Sequence, residues 1–224
     1  MFSAFQFQRR APGIGWWRAS FWWIFMIVVL RVVFFVFYRM RCKGRENIPR
    51  KGPLLIVANH QSNFDPAIVG VALRDRPFHG IARDTLLDSK ILRWYMSGFG
   101  VIAIKRGESD VVAIRKAIAE LDAGRCVMMY PEGTRSKDGN IGEFQRGFWL
   151  LMKKSKATVL PVGFDGAFDV YPIGSKPKLF GKIAVEVGKP IDANELLELG
   201  ETDGTALIRS SIEALVESSR ASIT

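Results

Sequence analysis

The chain has 224 residues, near the upper size for a single core and too short for two ordinary enzyme domains, so one domain with an appendage is expected. Hydrophobic residues make up 48% and charged residues 24%, a globular balance that excludes disorder as the dominant state, while two cysteines and two histidines exclude a disulfide framework and a clustered zinc site. Lys and Arg number 32 against 22 Asp and Glu, but residues 1–59 hold ten of the basic residues with Glu46 alone, so that stretch carries +9 and the rest only +1. A nearly neutral body argues against a nucleic-acid partner. The scarcity of cysteine points to a reducing, cytosol-facing body.

Four of the six tryptophans (Trp16, Trp17, Trp22 and Trp23) lie in the N-terminal stretch among basic residues. This is the composition of a membrane-interface element, because Trp and Arg favour the headgroup layer. Ala19 to Leu30 carries no charge, Arg31 interrupts, and a second apolar run reaches Tyr38. Twenty residues of helix are about 30 Å long, just enough to span a bilayer, and Arg31 lies near enough to the Tyr38 end to snorkel. Basic residues flank both ends, Arg9, Arg10 and Arg18 before and Arg39, Arg41, Lys43 and Arg45 after. An in-plane or re-entrant helix with both ends cytosolic fits that symmetry slightly better than a span. No small-residue cleavage site follows the run, which disfavours a secretory signal. The alternative of a wholly buried soluble helix is opposed by the Trp cluster.

From about Arg45 onward, short apolar runs alternate with amphipathic stretches. LLIVA (Leu54 to Ala58), VIAI (Val101 to Ile104), CVMMY (Cys126 to Tyr130), TVLPV (Thr158 to Val162) and IAVEV (Ile183 to Val187) read as strands. A helix is expected from an N-cap at Ser109, with Val111, Ile114, Ile118 and Leu121 on one face and a stop at Gly124. Phe148 to Lys154 and Thr205 to Ser219 are further helices. The expected fold is α/β, a mixed central sheet flanked by helices with chemistry at the loop ends, preceded by an N-terminal apolar membrane-associated helical segment. The expected organisation is residues 1–43 for that segment and 44–224 for one domain.

Three stretches carry the chemistry. ANHQSNFDP (Ala58 to Pro66) follows a buried strand and sets His60 and Asp65 five residues apart. A turn entering a helix at Pro66 brings them together, with the Asp accepting from one imidazole nitrogen while the other faces a substrate proton. That is a general-base arrangement, although a structural turn histidine reads equally well from this stretch alone. Ser62 lacks the glycine-flanked elbow of a serine nucleophile. YPEGTRS (Tyr130 to Ser136) offers Gly133 for close backbone approach, two hydroxyls, and the planar fork of Arg135. It reads as an anion cradle or as a turn with a solvated Arg. GFGVIAIKRG (Gly98 to Gly107) delivers Lys105 and Arg106 into a Gly-bounded loop, facing phosphate or solvent. His79, Cys42 and Cys126 read as structural.

Together with LPVG (Leu160 to Gly163), these stretches resemble the glycerolipid acyltransferase family, and within it the bacterial 1-acylglycerol-3-phosphate acyltransferases. The family's NHxSxxD appears as Asn59, His60, Ser62 and Asp65, and its PEGTRS as Pro131, Glu132, Gly133, Thr134, Arg135 and Ser136. Its F-x-[KR]-G appears as Phe144, Arg146 and Gly147, and its apolar-Pro-apolar block as Leu160, Pro161 and Val162. The aromatic-Ile-acid-Arg strand end is represented by Ala103, Ile104, Lys105 and Arg106, so the aromatic and the acid are replaced. The resemblance runs over roughly 44–189.

It implies an acyltransferase domain over 44–224 that moves a fatty acyl group from acyl-CoA or acyl-carrier protein to the free sn-2 hydroxyl of 1-acyl-glycerol-3-phosphate, giving phosphatidic acid. His60 and Asp65 are then the catalytic pair. Arg106, Glu132, Gly133, Thr134 and Arg135 bind substrate, with backbone N–H groups near Gly133 and Thr134 as candidate oxyanion donors. No metal or other cofactor is implied. The implied partners are the lysophospholipid, the thioester donor and the bilayer, at the cytoplasmic face of the inner (plasma) membrane, monotopic or single-span. The competing readings are a lysophospholipid acyltransferase with another acceptor and a non-catalytic peripheral lipid-binding protein.

Overall fold

The computed structural model describes residues 15–74, 76–83, 100–104 and 110–224. Its strands are β1 (Arg41–Lys43), β2 (Leu54–Ala58), β3 (Phe78–Arg83), β4 (Ile102–Ile104), β5 (Cys126–Met129), β6 (Thr158–Asp165) and β7 (Ala184–Val187). They form one seven-stranded sheet in the order β1-β7-β6-β2-β5-β3-β4. Strands β2 to β6 run parallel, whereas β7 pairs antiparallel with β6 and carries β1 parallel to itself. The sheet is thus mixed, as expected. At its centre, β2 is apolar at every position and buried at all five, because a parallel strand covered on both faces has no solvent side on which to place a polar residue.

The helices are α1 (Trp16–Phe21), a π-helical stretch (Trp22–Leu30), α2 (Arg31–Tyr38), α3 (Asp65–Leu73), α4 (Asp110–Asp122), α5 (Arg146–Ser155), α6 (Ala167–Val170) and α7 (Ala193–Ile223). They divide into two layers that follow the pleat of β2. Leu54, Ile56 and Ala58 point into one layer with Ile68, Val69 and Leu73 of α3 and with Phe34 and Tyr38 of α2. Leu55 and Val57 point into the other, against Ala117 and Leu121 of α4, Phe148 and Met152 of α5, and Ile208 and Ile212 of α7. Truncating one of these buried leucines or isoleucines to Ala leaves a void in a close-packed layer and costs roughly 2–5 kcal/mol.

The connections locate the site. From β2 the chain passes through α3 to β3 on one side, and from β5 through α5 to β6 on the other. Since parallel crossovers are right-handed, these opposite directions place α3 and α5 on opposite faces. They open a crevice above the carboxyl ends of the adjacent strands β2 and β5.

The N-terminal segment departs from the reading of Ala19 to Tyr38 as a possible span. It is divided by the π-helical stretch, and none of the helices among the described residues is long and apolar enough to cross a membrane. Phe21, Phe34 and Tyr38 are buried in the α3 layer, whereas Ile24, Val28, Val32 and Phe35 are exposed. A segment with one face in the protein core cannot be surrounded by lipid, so the geometry is that of a helical stretch lying along the body.

Two strands escaped the apolar pattern. β1 is Arg-Cys-Lys at a sheet edge, and β3 has a glycine at its centre. The C-terminal helix begins earlier than Thr205 because the Asp192 side chain accepts from the Asn194 N–H as an N-cap. It kinks at Gly200, whose φ is +82°. The expected N-cap Ser109 lies outside the described residues.

Candidate active site

His60 follows β2 by two residues and Tyr130 follows β5 by one, and the strands pair with Val57 opposite Met129. That register sets the two rings side by side. Their centroids are 3.9 Å apart with planes 8° from parallel. His60 Nδ1 lies 2.6 Å from Asp65 Oδ2. The same oxygen accepts the N–H groups of Gln61 and Ser62, each at 2.7 Å. An oxygen taking two backbone donors serves as an acceptor, which assigns the third proton to Nδ1 and leaves Nε2 with its lone pair. Nε2 has no hydrogen-bond partner among the described residues, and the ring keeps 19% of its surface exposed.

Asp65 is fully buried at the start of α3, with Pro66 next to it where its missing N–H costs nothing. Burial pushes its carboxyl above the usual carboxylate range, while His60 and the two backbone N–H groups pull it back. The positive end of α3 acts in the same downward sense. Burial likewise raises Glu132 and raises the phenol of Tyr130 well above its ordinary range, the latter helped by the Asp65 charge. The Tyr130 hydroxyl is buried without a partner among the described residues.

The two motifs are joined backbone to side chain. Glu132 Oε1 accepts the His60 N–H at 2.7 Å, and Oε2 accepts the Gly142 N–H at 2.7 Å. The Ser136 N–H donates to the His60 carbonyl at 2.7 Å. Thus both oxygens of Glu132, read as substrate-binding, meet backbone amides, one in the turn that carries His60 and one in the loop after β5. Gly133 occupies the left-handed region at φ +69° and donates its N–H to the Tyr130 carbonyl at 3.1 Å, closing a tight turn. Of the two amides considered as oxyanion donors, that of Gly133 is therefore committed, whereas that of Thr134 has no partner among the described residues. Thr134 is exposed. Arg135 donates Nη1 to Asn63 Oδ1 at 2.7 Å, which sets its guanidinium over the His60 turn. Among the described residues it makes no ion pair, so its remaining donors are available to an anion. Arg106 and Lys105 lie outside the described residues.

The neighbouring polar residues are scaffolding. Asn59 clasps β6, donating Nδ2 to the Phe164 carbonyl at 2.9 Å and accepting the Phe164 N–H at 3.1 Å. Ser62 Oγ donates to the Tyr171 carbonyl at 2.8 Å and accepts the Phe64 N–H. It is not available as a nucleophile. Gln61 Nε2 donates to the Gly139 carbonyl at 3.0 Å. Residue types alone do not reveal these roles, nor that Tyr130 plates the imidazole. The only sequence signal for the latter was an aromatic at the end of the strand beside that of His60. Among the described residues, no group of His, Cys, Asp and Glu is arranged to hold a metal ion.

The family profile described as Acyltransferase matches residues 39–165, more than half of the chain. A chloroplastic 1-acyl-sn-glycerol-3-phosphate acyltransferase of Arabidopsis thaliana is 33% identical over 163 residues, 71% of this chain and 45% of that one. The 1-acyl-sn-glycerol-3-phosphate acyltransferases of Pseudomonas aeruginosa (30% identical; 77% of this chain, 66% of that one) and Borreliella burgdorferi (29%; 78% and 70%) also match. The chain spans less than half the length of the chloroplastic relatives. The crystal structure of the 1-acyl-sn-glycerophosphate acyltransferase PlsC from Thermotoga maritima superposes with a TM-score of 0.74 at 24% identity, covering 97% of this chain and 86% of that one, which shows the fold. The matched profile, which contains the whole His60, Asp65 and Glu132 arrangement, shows that the chain belongs to the acyltransferase family.

Proposed function

We propose that the chain transfers a fatty acyl group from a thioester donor, acyl-CoA or acyl-carrier protein, to the free sn-2 hydroxyl of 1-acyl-glycerol-3-phosphate, giving phosphatidic acid. The observation that carries this reading is His60, its Nδ1 held by buried Asp65 and its Nε2 unengaged in a crevice that Arg135 overlooks. The names of the relatives supply the acceptor.

In this mechanism His60 Nε2 takes the hydroxyl proton as the oxygen attacks the thioester carbonyl. Asp65 fixes the tautomer and stabilises the imidazolium that forms. The tetrahedral oxyanion receives the Thr134 N–H. It collapses with loss of the thiolate, which takes the proton from His60. Atoms and charge balance with no cofactor and no acyl-enzyme. Arg135 and Arg106 hold the phosphate, so that proximity supplies part of the acceleration. Glu132 keeps the two loops in register. The acceptor is a membrane lipid, which supports a crevice that opens at a membrane surface. The exposed apolar face of the N-terminal segment fits a monotopic seat on the cytoplasmic face of the inner membrane.

The test is product mass spectrometry with a panel of lysolipids and both donor classes. Phosphatidic acid from lysophosphatidic acid is expected. His60→Ala should lose on the order of 10²–10⁴-fold in kcat while keeping its fold. Arg135→Ala should raise the apparent KM most for the acceptor with a free phosphomonoester. Equal losses on acceptors with and without a headgroup would assign Arg135 to the loop instead.

A further inference from the structure

We infer that residues 176–182 form a second, non-helical membrane contact, an apolar tip rimmed by basic side chains that seats in an anionic leaflet beside the N-terminal segment. This rests on the membrane reading above. Leu179 and Phe180 stand 64% and 65% exposed. The tip reads Lys-Pro-Lys-Leu-Phe-Gly-Lys, and 171–183 contains no acidic residue. Lys176 and Lys178 are exposed, as is Lys182, whose Nζ donates to the Ile223 carbonyl at 2.7 Å. Two large apolar side chains held in water by a loop rimmed with lysines have a cost that an apolar partner with an anionic border relieves.

The loop is not a loose excursion. Its backbone is stitched to the end of α2, since the Gly181 N–H donates to the Phe37 carbonyl at 3.2 Å and the Ile183 N–H to the Tyr38 carbonyl at 3.0 Å. The Tyr38 hydroxyl donates to the Lys178 carbonyl at 3.0 Å. The Phe180 ring stacks on Phe37, with centroids 5.8 Å apart. Phe180 is therefore continuous with the exposed apolar face of the N-terminal segment, which ends in Val32, Phe35 and Val36. Arg39 and Arg41, exposed beside the junction, extend the basic border. A helical face alone fixes depth along one line, whereas a second contact off that line also fixes tilt. The Tyr38, Phe64 and Tyr171 rings connect the junction to the turn that bears His60, with centroids 5.5 and 5.0 Å apart. Seating the loop would thus hold the crevice against the leaflet.

Vesicle flotation of the full chain tests this, using phosphatidylcholine alone and phosphatidylcholine mixed with phosphatidylglycerol. Wild type is expected to partition onto the anionic vesicles. Leu179→Ser with Phe180→Ser should partition at least tenfold more weakly while keeping wild-type Tm and turnover of a short, soluble lysolipid. Lys176→Gln with Lys178→Gln should weaken binding to the anionic vesicles only. Phe180→Cys in a Cys42→Ser background, labelled with an environment-sensitive dye, should show a blue shift on the same vesicles. Wild-type binding matched by the double Ser variant, with no dye shift, would overturn the loop contact and leave the membrane reading standing. A wild type that stays in solution with both vesicle types would overturn both. A wild-type dimer that becomes monomeric in the double Ser variant would assign the patch to a second copy of the chain and overturn the lipid assignment.

Discussion

At the scale of single residues, the imidazole of His60 is oriented by two contacts at right angles to each other in kind, a hydrogen bond in its plane and a ring against its face. Tyr130 supplies the second. Its hydroxyl is buried and has no partner among the described residues, so removing that oxygen is expected to be neutral or slightly stabilising. Tyr130→Phe should keep both Tm and kcat, whereas Tyr130→Ala should lower both, since it removes the ring that lies against His60. Thermal denaturation with steady-state kinetics on both variants separates the ring from the hydroxyl. A second histidine has a different role. His79 Nε2 meets Glu120 Oε2 at 3.0 Å with the Arg18 guanidinium 3.4 Å away, and Arg125 pairs with the same Glu120. Burial, and then the Arg18 charge, depress its pKa from 6.5 to about 4. Between those values the unfolded chain holds a proton the folded chain does not, so stability falls as pH drops through that window. The loss from neutral pH to pH 4 is on the order of 3 kcal/mol. His79→Gln, which cannot titrate, should flatten the pH dependence of Tm over this range, as a set of melts from neutral to acid pH would show.

Elements meet at positions where size decides. A Cβ on Gly163 of β6 would lie 2.5 Å from Leu215 Cβ and 2.6 Å from the Val216 nitrogen, so α7 rests directly on the strand. Backbone cannot move aside as a side-chain tip can. Gly163→Ala is therefore expected to cost about 1–3 kcal/mol, measured by denaturant unfolding, and to weaken the Asn59 clasp on Phe164 one residue away. Because Asn59 precedes His60, that strain reaches the site through the chain itself. The aromatic contacts among Phe34, Phe64 and Tyr171 have an analogous position, bridging α2 and the start of α3.

For the whole molecule, the N-terminal segment is both a surface and a part of the core. Phe34 and Tyr38 are buried against α3 and the sheet. Deleting residues 1–40 should therefore expose this layer and yield aggregated or poorly folded protein, rather than a clean soluble body. Val32→Ser with Phe35→Ser changes only the exposed face, and should lower vesicle partition while preserving the melting transition. Circular dichroism melts and flotation of the two variants side by side check both halves of the expectation.

What the sequence by itself determined was local or periodic. β2, β5, β6 and β7 were legible because buried strands are short apolar runs bounded by turn residues, and α4 because its apolar positions recur at helical spacing. The closeness of His60 and Asp65 was legible because five residues across a turn into a helix leave them little freedom to separate. The tertiary structure alone decided which strands are neighbours. The sheet order places β5 beside β2, and from that adjacency come the Tyr130 stack, the Glu132 hydrogen bond to the His60 N–H and the hold of Ser136 on the His60 carbonyl. Glu132 illustrates the reason. A carboxylate in a loop motif has the same identity whether it meets a substrate or two backbone amides, and the partner comes from a residue 72 positions away. The edge strand β1 and the internal strand β3 were illegible for a related reason, since short or glycine-containing segments are made into strands by the neighbours that pair with them, not by their own composition.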